Sequence, residues 1–140
     1  MVSKRNTIAL IEGPNLNLVE LRPNIYQSPQ KLEEIINLIK NDFDIIYFQS
    51  NIEGEIINFL QTEMNNLSGI IINPAAFTHY SIAIADCLEM LNIPKAEVHL
   101  TNIYKRDREK SVTAKYVDII ISGAGNYGYY LASQYIKTKC

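Results

Sequence analysis

A doubly wound α/β fold, with a five-stranded parallel sheet in flavodoxin-like order, is what the sequence predicts, on three observations. Five short apolar runs alternate with segments whose apolar residues recur at helical spacing, the pattern of strands joined by helical crossovers. The third run, Gly69–Asn73 (GIIIN), is β-branched and apolar on both faces, as suits a central strand. The unusual polar residues fall just after strands, and open sheets of this class bind ligands beyond the carboxyl ends of their strands.

Taken in order, Thr7–Ile11 is the first strand. A long connection follows, and Ser28 then offers a side-chain N-cap with Pro29 at the first helical position, where its missing N–H does no harm. Leu32, Ile35, Ile36 and Ile39 make the apolar face of the first helix. Asp44–Gln49 is the second strand, and Ser50 with Glu53 spells a capping box for a helix burying Ile56, Phe59 and Leu60. After the third strand, the loop PAAFTH leads into a helix carrying Ile82, Leu88 and Leu91. Glu97–Leu100 is the fourth strand. A charged connection, TNIYKRDREKS, precedes the fifth, Asp118–Ser122, and a last helix that ends near Ile136.

The chain of 140 residues fits one domain, residues 1–140, with 47% hydrophobic and 20% charged residues, an ordinary globular balance. A net charge of −2 gives no reason to expect nucleic acid or an anionic membrane as partner. Its apolar runs are too short for a signal peptide or a membrane span. Cys87 and Cys140 have no metal-ligand spacing and predict no disulfide, which suits a reducing, cytoplasmic setting.

Function is concentrated in the stretch Gly13–Tyr26, GPNLNLVELRPNIY. Its fourteen residues exceed the usual strand-to-helix connection of about 2–6. Asparagines at its start and the Arg22/Tyr26 spacing read as a binding lid, the plain alternative being an exposed insertion. A tyrosine, whose pKa is ordinarily about 10, serves as a base only beside a cation. Glu97 and His99, two apart on a strand, share a face, so the carboxylate can fix the imidazole tautomer and leave the other ring nitrogen for acid–base work. The plain alternative is a buried, satisfied histidine. Asn73 and the N–H groups of the following loop could hold a substrate carboxylate, with His79 beside them or acting as a helix cap. Asp86, seven residues on, reads by itself as a surface charge. Gly123–Gly128 (GAGNYG) matches a dinucleotide fingerprint, but the chain has no later strand to carry the acidic residue such a site needs. Those glycines read as a tight strand-to-helix junction, and no cofactor is expected.

The blocks GPNLN at Gly13, FQSNIEGEII at Phe48, INPAAFTHYSIAIAD at Ile72, EVHLTNIYKR at Glu97 and SVTAKYVDIIISGAGNYGYYLA at Ser111 resemble the type II 3-dehydroquinate dehydratases. They run in order over nearly the whole chain. The resemblance implies anti elimination of water from 3-dehydroquinate to 3-dehydroshikimate through an enolate, without metal or cofactor. By position it makes Tyr26 the base, assisted by Arg22, and gives Asn15 the water that stabilises the enolate oxygen. His99, oriented by Glu97, protonates the leaving hydroxyl. Asn73, with Leu100 and Thr101, binds the substrate carboxylate; His79, and Asp86 from a neighbouring subunit, complete the pocket. A homo-oligomer, a dodecamer of trimers, is implied as well.

This chain departs from the family pattern at several places. Glu12 replaces an asparagine before GPN, and Glu20 replaces a glycine. The lid between Arg22 and Tyr26 is one residue short and the loop after the fourth strand about two residues short. Tyr104 stands for a histidine, and Arg106 matches the first of two arginines. The second, which binds substrate hydroxyls, is Arg108 or Lys110, with Arg108 preferred. Other readings of the same fold are a relative acting on another cyclic hydroxy-ketone acid, a non-catalytic oligomeric binding protein, and a flavin binder.

Overall fold

The structure, a computed structural model, describes residues 6–108 and 110–140. Five parallel strands form one sheet: β1 (Thr7–Glu12), β2 (Asp44–Gln49), β3 (Gly69–Asn73), β4 (Lys95–His99) and β5 (Ile119–Ser122). Their order, β2-β1-β3-β4-β5, is the flavodoxin-like order the sequence predicts. Helices α1 (Leu32–Ile39), α2 (Glu53–Glu63) and α3 (Ile82–Met90) connect the first four, and α4 (Tyr127–Lys137) follows β5.

The period of two along each strand divides the core into two layers. Ala9 and Ile11 of β1 and Ile70 and Ile72 of β3 pack with Ile56, Leu60, Ile84 and Leu88 of α2 and α3. Ile8, Leu10, Ile71, Ala96 and Val98 face the other way, onto Ile35, Ile39, Tyr129, Ala132 and Ile136 of α1 and α4. All of β3 is buried, which is why its sequence lacks a polar alternation. β2, an edge strand, is only half covered, with Phe48 stacked on Phe59 of α2 at 4.5 Å.

The two ends that frame the site approach closely. A Cβ on Gly13 would lie 2.4 Å from the Pro74 carbonyl oxygen, so only glycine lets the chain leaving β1 pass the chain leaving β3. Gly128 likewise admits α4 against Val98 and Ile121. The GAGNYG run is thus a junction in which Gly123 and Gly125 take φ of 97° and 60°.

Several helix starts differ from the sequence reading. α1 begins at Leu32 with Lys31 at its N-cap, so Ser28 and Pro29 lie before it. The Ser28 hydroxyl instead accepts from the Gln30 and Asn126 N–H groups, tying the lid's exit to the head of α4. No capping box forms at α2, whose N-cap is Ile52. Ser50 Oγ accepts from Ile52 N at 3.0 Å and donates to Glu55 at 2.5 Å, while Glu53 accepts from Ser81. Ser81 is the side-chain cap of α3, accepting from Ile84 N at 3.0 Å. Ile82 is 67% exposed and not in the core. It lies two residues from Ile84, or about 200° round a helix, and so on the opposite face. β4 starts and ends earlier than expected, leaving Leu100 just beyond it.

Candidate active site

A cleft opens beyond the carboxyl ends of β1, β3 and β4, lined by Asn15, Leu16, Arg22, Tyr26, Asn73, His79, His99, Leu100, Thr101, Arg106 and Arg108, among others. Among the described residues three arginines and two histidines line it, although the chain as a whole is acidic.

The β4 side is built on regular backbone. Glu97 is fully buried and His99 is 5% exposed. His99 Nε2 lies 2.8 Å from Glu97 Oε2, and because a carboxylate only accepts, the ring donates from Nε2 and keeps Nδ1 for other partners. The same carboxylate receives the Ser111 hydroxyl at 3.1 Å and the Thr113 hydroxyl on its other oxygen. Three donors therefore hold this fully buried acid. The turn that follows is tied to the loop after β5: Leu100 O accepts from Gly125 N, and Thr101 O accepts from Ser122 Oγ.

The β1 side is a loop of short 3-10 turns, Leu16–Leu21 and Asn24–Tyr26, in place of the simple connection. Asn15 takes φ of 71°, a conformation asparagine tolerates better than most residues. Its N–H donates to Asn51 Oδ1 at 2.9 Å, and Gln49 Nε2 donates to Gly13 O at 3.1 Å and to Asn51 Oδ1 at 3.2 Å. Two guanidinium groups pack against the Tyr26 ring, that of Arg22 at 4.2 Å and that of Arg106 at 5.0 Å from its centroid. Both distances are in cation–π range.

Between them, Asn73 closes β3. Its Oδ1 accepts from Ala75 N at 3.1 Å and its Nδ2 donates to Tyr129 Oη at 3.0 Å. Ala75, with φ of 53°, is the other non-glycine residue with positive φ among the described residues. Both such residues line the cleft, where strained backbone tends to collect. His79 Nδ1 donates to the Lys110 carbonyl at 2.6 Å, drawing the charged connection over the cleft.

The structure thus brings Asn15, Arg22, Tyr26, Asn73, His79, His99, Leu100, Thr101 and Arg108 together, with Glu97 directly behind His99. Asp86 is not among them: it is exposed on α3, outside the cleft of its own chain. Of the two candidates for the second arginine, Arg108 lines the cleft, while Lys110 contributes its carbonyl to His79. Sequence reasoning assigned no role to Ser111, Thr113, Gln49 or Asn51. Their partners lie up to 36 residues away, and the spacing carries no local signal of the pairing.

Among the described residues no group of three or more His, Cys, Asp or Glu side chains could hold a metal ion, and no helix is long and apolar enough to cross a membrane.

Fold and site together define a flavodoxin-like α/β protein whose cleft is equipped for acid–base work on a small anion. The model of the family "Dehydroquinase class II" matches residues 6–137. This chain belongs to that family. It is 46% identical to the 3-dehydroquinate dehydratase of Thermotoga petrophila, over 94% of this chain and 95% of the relative. With that of Clostridium botulinum (strain Hall) it shares 49% identity over 94% of each. The crystal structure of a type II dehydroquinase from Butyrivibrio crossotus matches with a TM-score of 0.87 at 36% identity, covering 95% of this chain and 98% of that one.

Proposed function

We propose that this protein is a type II 3-dehydroquinate dehydratase, a hydro-lyase that eliminates water from 3-dehydroquinate to give 3-dehydroshikimate. The observation that carries the reading is one cleft holding a tyrosine against two guanidinium groups and a carboxylate-oriented histidine. Elimination next to a ketone needs a base for the α-proton, donors for the enolate and an acid for the departing hydroxyl.

In this reading Tyr26, with Arg22 and Arg106 against its ring, acts as the base that takes the α-proton, and the C–H electron pair becomes an enolate. Asn15 holds the water that stabilises the enolate oxygen. Collapse of the enolate forms the C=C bond and breaks the C–O bond anti to it. The hydroxyl takes a proton from His99 and leaves as water, and Tyr26 returns its proton to solvent or to His99. Asn73, Leu100 and Thr101 bind the substrate carboxylate, and Arg108 and His79 bind its remaining polar groups.

Completion of the pocket by Asp86 of a neighbouring subunit belongs to the same proposal. Ile82, Asp86 and Met90 follow one another at helical spacing on the outward stripe of α3, with Ile82 67% and Met90 65% exposed. An acid between two exposed apolar residues supports contact with another subunit, in a dodecamer of trimers. The reaction serves aromatic biosynthesis by the shikimate pathway or quinate catabolism. We place it in the cytoplasm, where the free thiols of Cys87 and Cys140 suit the reducing setting. Burial pushes the Cys87 thiol pKa up, which keeps it unreactive.

The test is ultraviolet absorbance after mixing protein with 3-dehydroquinate, because the product is a conjugated enone acid. The trace should rise, with Tyr26→Phe and His99→Ala each lowering kcat by about 10²- to 10⁴-fold. A flat trace from folded, assembled protein would sink the assignment.

A further inference from the structure

Glu12 is a carboxyl side chain at the end of β1, 3% exposed, where nothing in the reaction requires an acid. Two phenols hold it: Tyr47 Oη donates to Oε1 and Tyr129 Oη to Oε2, each at 2.6 Å. Tyr129 is fully buried in α4, and its oxygen in turn accepts from Asn73 Nδ2 at 3.0 Å. The chain therefore has one direction: Asn73 donates to Tyr129, and Tyr129 donates to Glu12.

That direction fixes the amide of Asn73. Turned over, its Nδ2 would meet the Ala75 N–H, donor against donor, and its Oδ1 would need the Tyr129 proton that Glu12 already takes. An acceptor at position 12 forbids the turned state, and an amide with one of its two N–H groups engaged by Tyr129 keeps the other for a ligand. We propose that Glu12 and Tyr129 are positioning residues that hold Asn73 with an N–H, not a carbonyl, available to the substrate carboxylate. This rests on the reading that Asn73 binds that carboxylate.

The prediction is specific to the acceptor at position 12. Glu12→Gln can still present Oε1 to Tyr129 and turn its NH₂ toward Tyr47, which is 43% exposed and can donate to water instead. Glu12→Leu cannot, and Tyr129→Phe removes the link with little change in shape. Steady-state kinetics on the four proteins, with Tyr129→Phe also made on an Asn73→Ala background, should separate the cases. Tyr129→Phe and Glu12→Leu should raise KM about 5- to 10-fold with kcat within about twofold, the size of one lost hydrogen bond. Glu12→Gln should keep the wild-type KM, and Tyr129→Phe should add nothing once Asn73 is gone. An unchanged KM in folded Tyr129→Phe, or a full additional effect without Asn73, overturns the proposal. A neutron crystal structure of the wild-type protein reads the same point without activity. It should place the Tyr129 deuteron toward Glu12 and Asn73 Nδ2 toward Tyr129. A Tyr129 deuteron aimed at Asn73 would overturn the positioning roles, whereas failure to turn over 3-dehydroquinate would overturn only the proposed reaction.

Discussion

His99 and Tyr26 line the same cleft on opposite kinds of scaffold. His99 is the last residue of a fully buried strand, and the acid behind it has three side-chain donors. Tyr26 ends a 3-10 turn in a loop that contributes no buried residue from Leu16 to Tyr26. What holds that loop is a set of amide clamps from the end of β2 and two guanidinium groups on the tyrosine ring. The His99 side is positioned by the fold, the Tyr26 side by a few exchangeable hydrogen bonds. Sites on regular elements are held more tightly than sites on loops, and the Tyr26 side is therefore where substitutions should alter turnover without altering the fold.

That contrast can be broken in three ways, in descending order of expected effect. Glu97→Ala removes the acceptor shared by His99, Ser111 and Thr113, and should cost about 10²-fold in kcat through misplacement of the imidazole. It should also lower the melting temperature, because three donors, two of them on buried residues, lose their partner; a protein that keeps its melting temperature would show that the His99 side is not part of the core. Asn51→Ala releases the Asn15 N–H and should lower kcat about fivefold, the size of one hydrogen bond, with little change in melting. A loss in Asn51→Ala as large as that in Glu97→Ala, measured by the same absorbance assay, would erase the distinction between the two sides.

The smallest effect concerns pH and stability. Burial raises the pKa of Glu12 above the ordinary carboxylate range, and the hydrogen bonds from Tyr129 and Tyr47 offset part of that rise. With the folded value above the unfolded one, the native state holds the extra proton between the two. The stability Glu12 contributes is full below the ordinary glutamate pKa and is lost as pH rises through the raised value. Urea denaturation of wild type and Glu12→Gln across that window should show the wild type losing ground as pH rises. Parallel curves would mean Glu12 keeps its unfolded-state pKa.

The sheet was legible in the sequence because its signals are local: GIIIN is apolar on both faces, and the alternation in TIALI sets which side chains meet which helix layer. The strand-end polar residues were legible for the same reason, since topology carries them to one edge. Helix starts were less so. Ser28 has the chemistry of a cap, but the Asn126 N–H, 98 residues later, also takes its hydroxyl, and the helix begins at Leu32 instead. Glu53 fits a capping box until Ser81 takes its carboxylate. Asp86 read alone as a surface charge, and within its own chain that is where it lies. For Ser28 and Glu53 the deciding partner is distant in sequence, and spacing says nothing about it.

The cleft's arginines reach beyond the molecules they touch. A chain with net charge of −2 repels an anion at long range, yet three guanidinium groups line the cleft, an arrangement that favours an anion there. Such steering acts on encounter and is screened by salt, whose Debye length shrinks from about 30 Å at 0.01 M to about 8 Å at 0.15 M. The second-order rate constant should therefore fall with ionic strength, while the rate at saturation, set once the ligand is bound, should not.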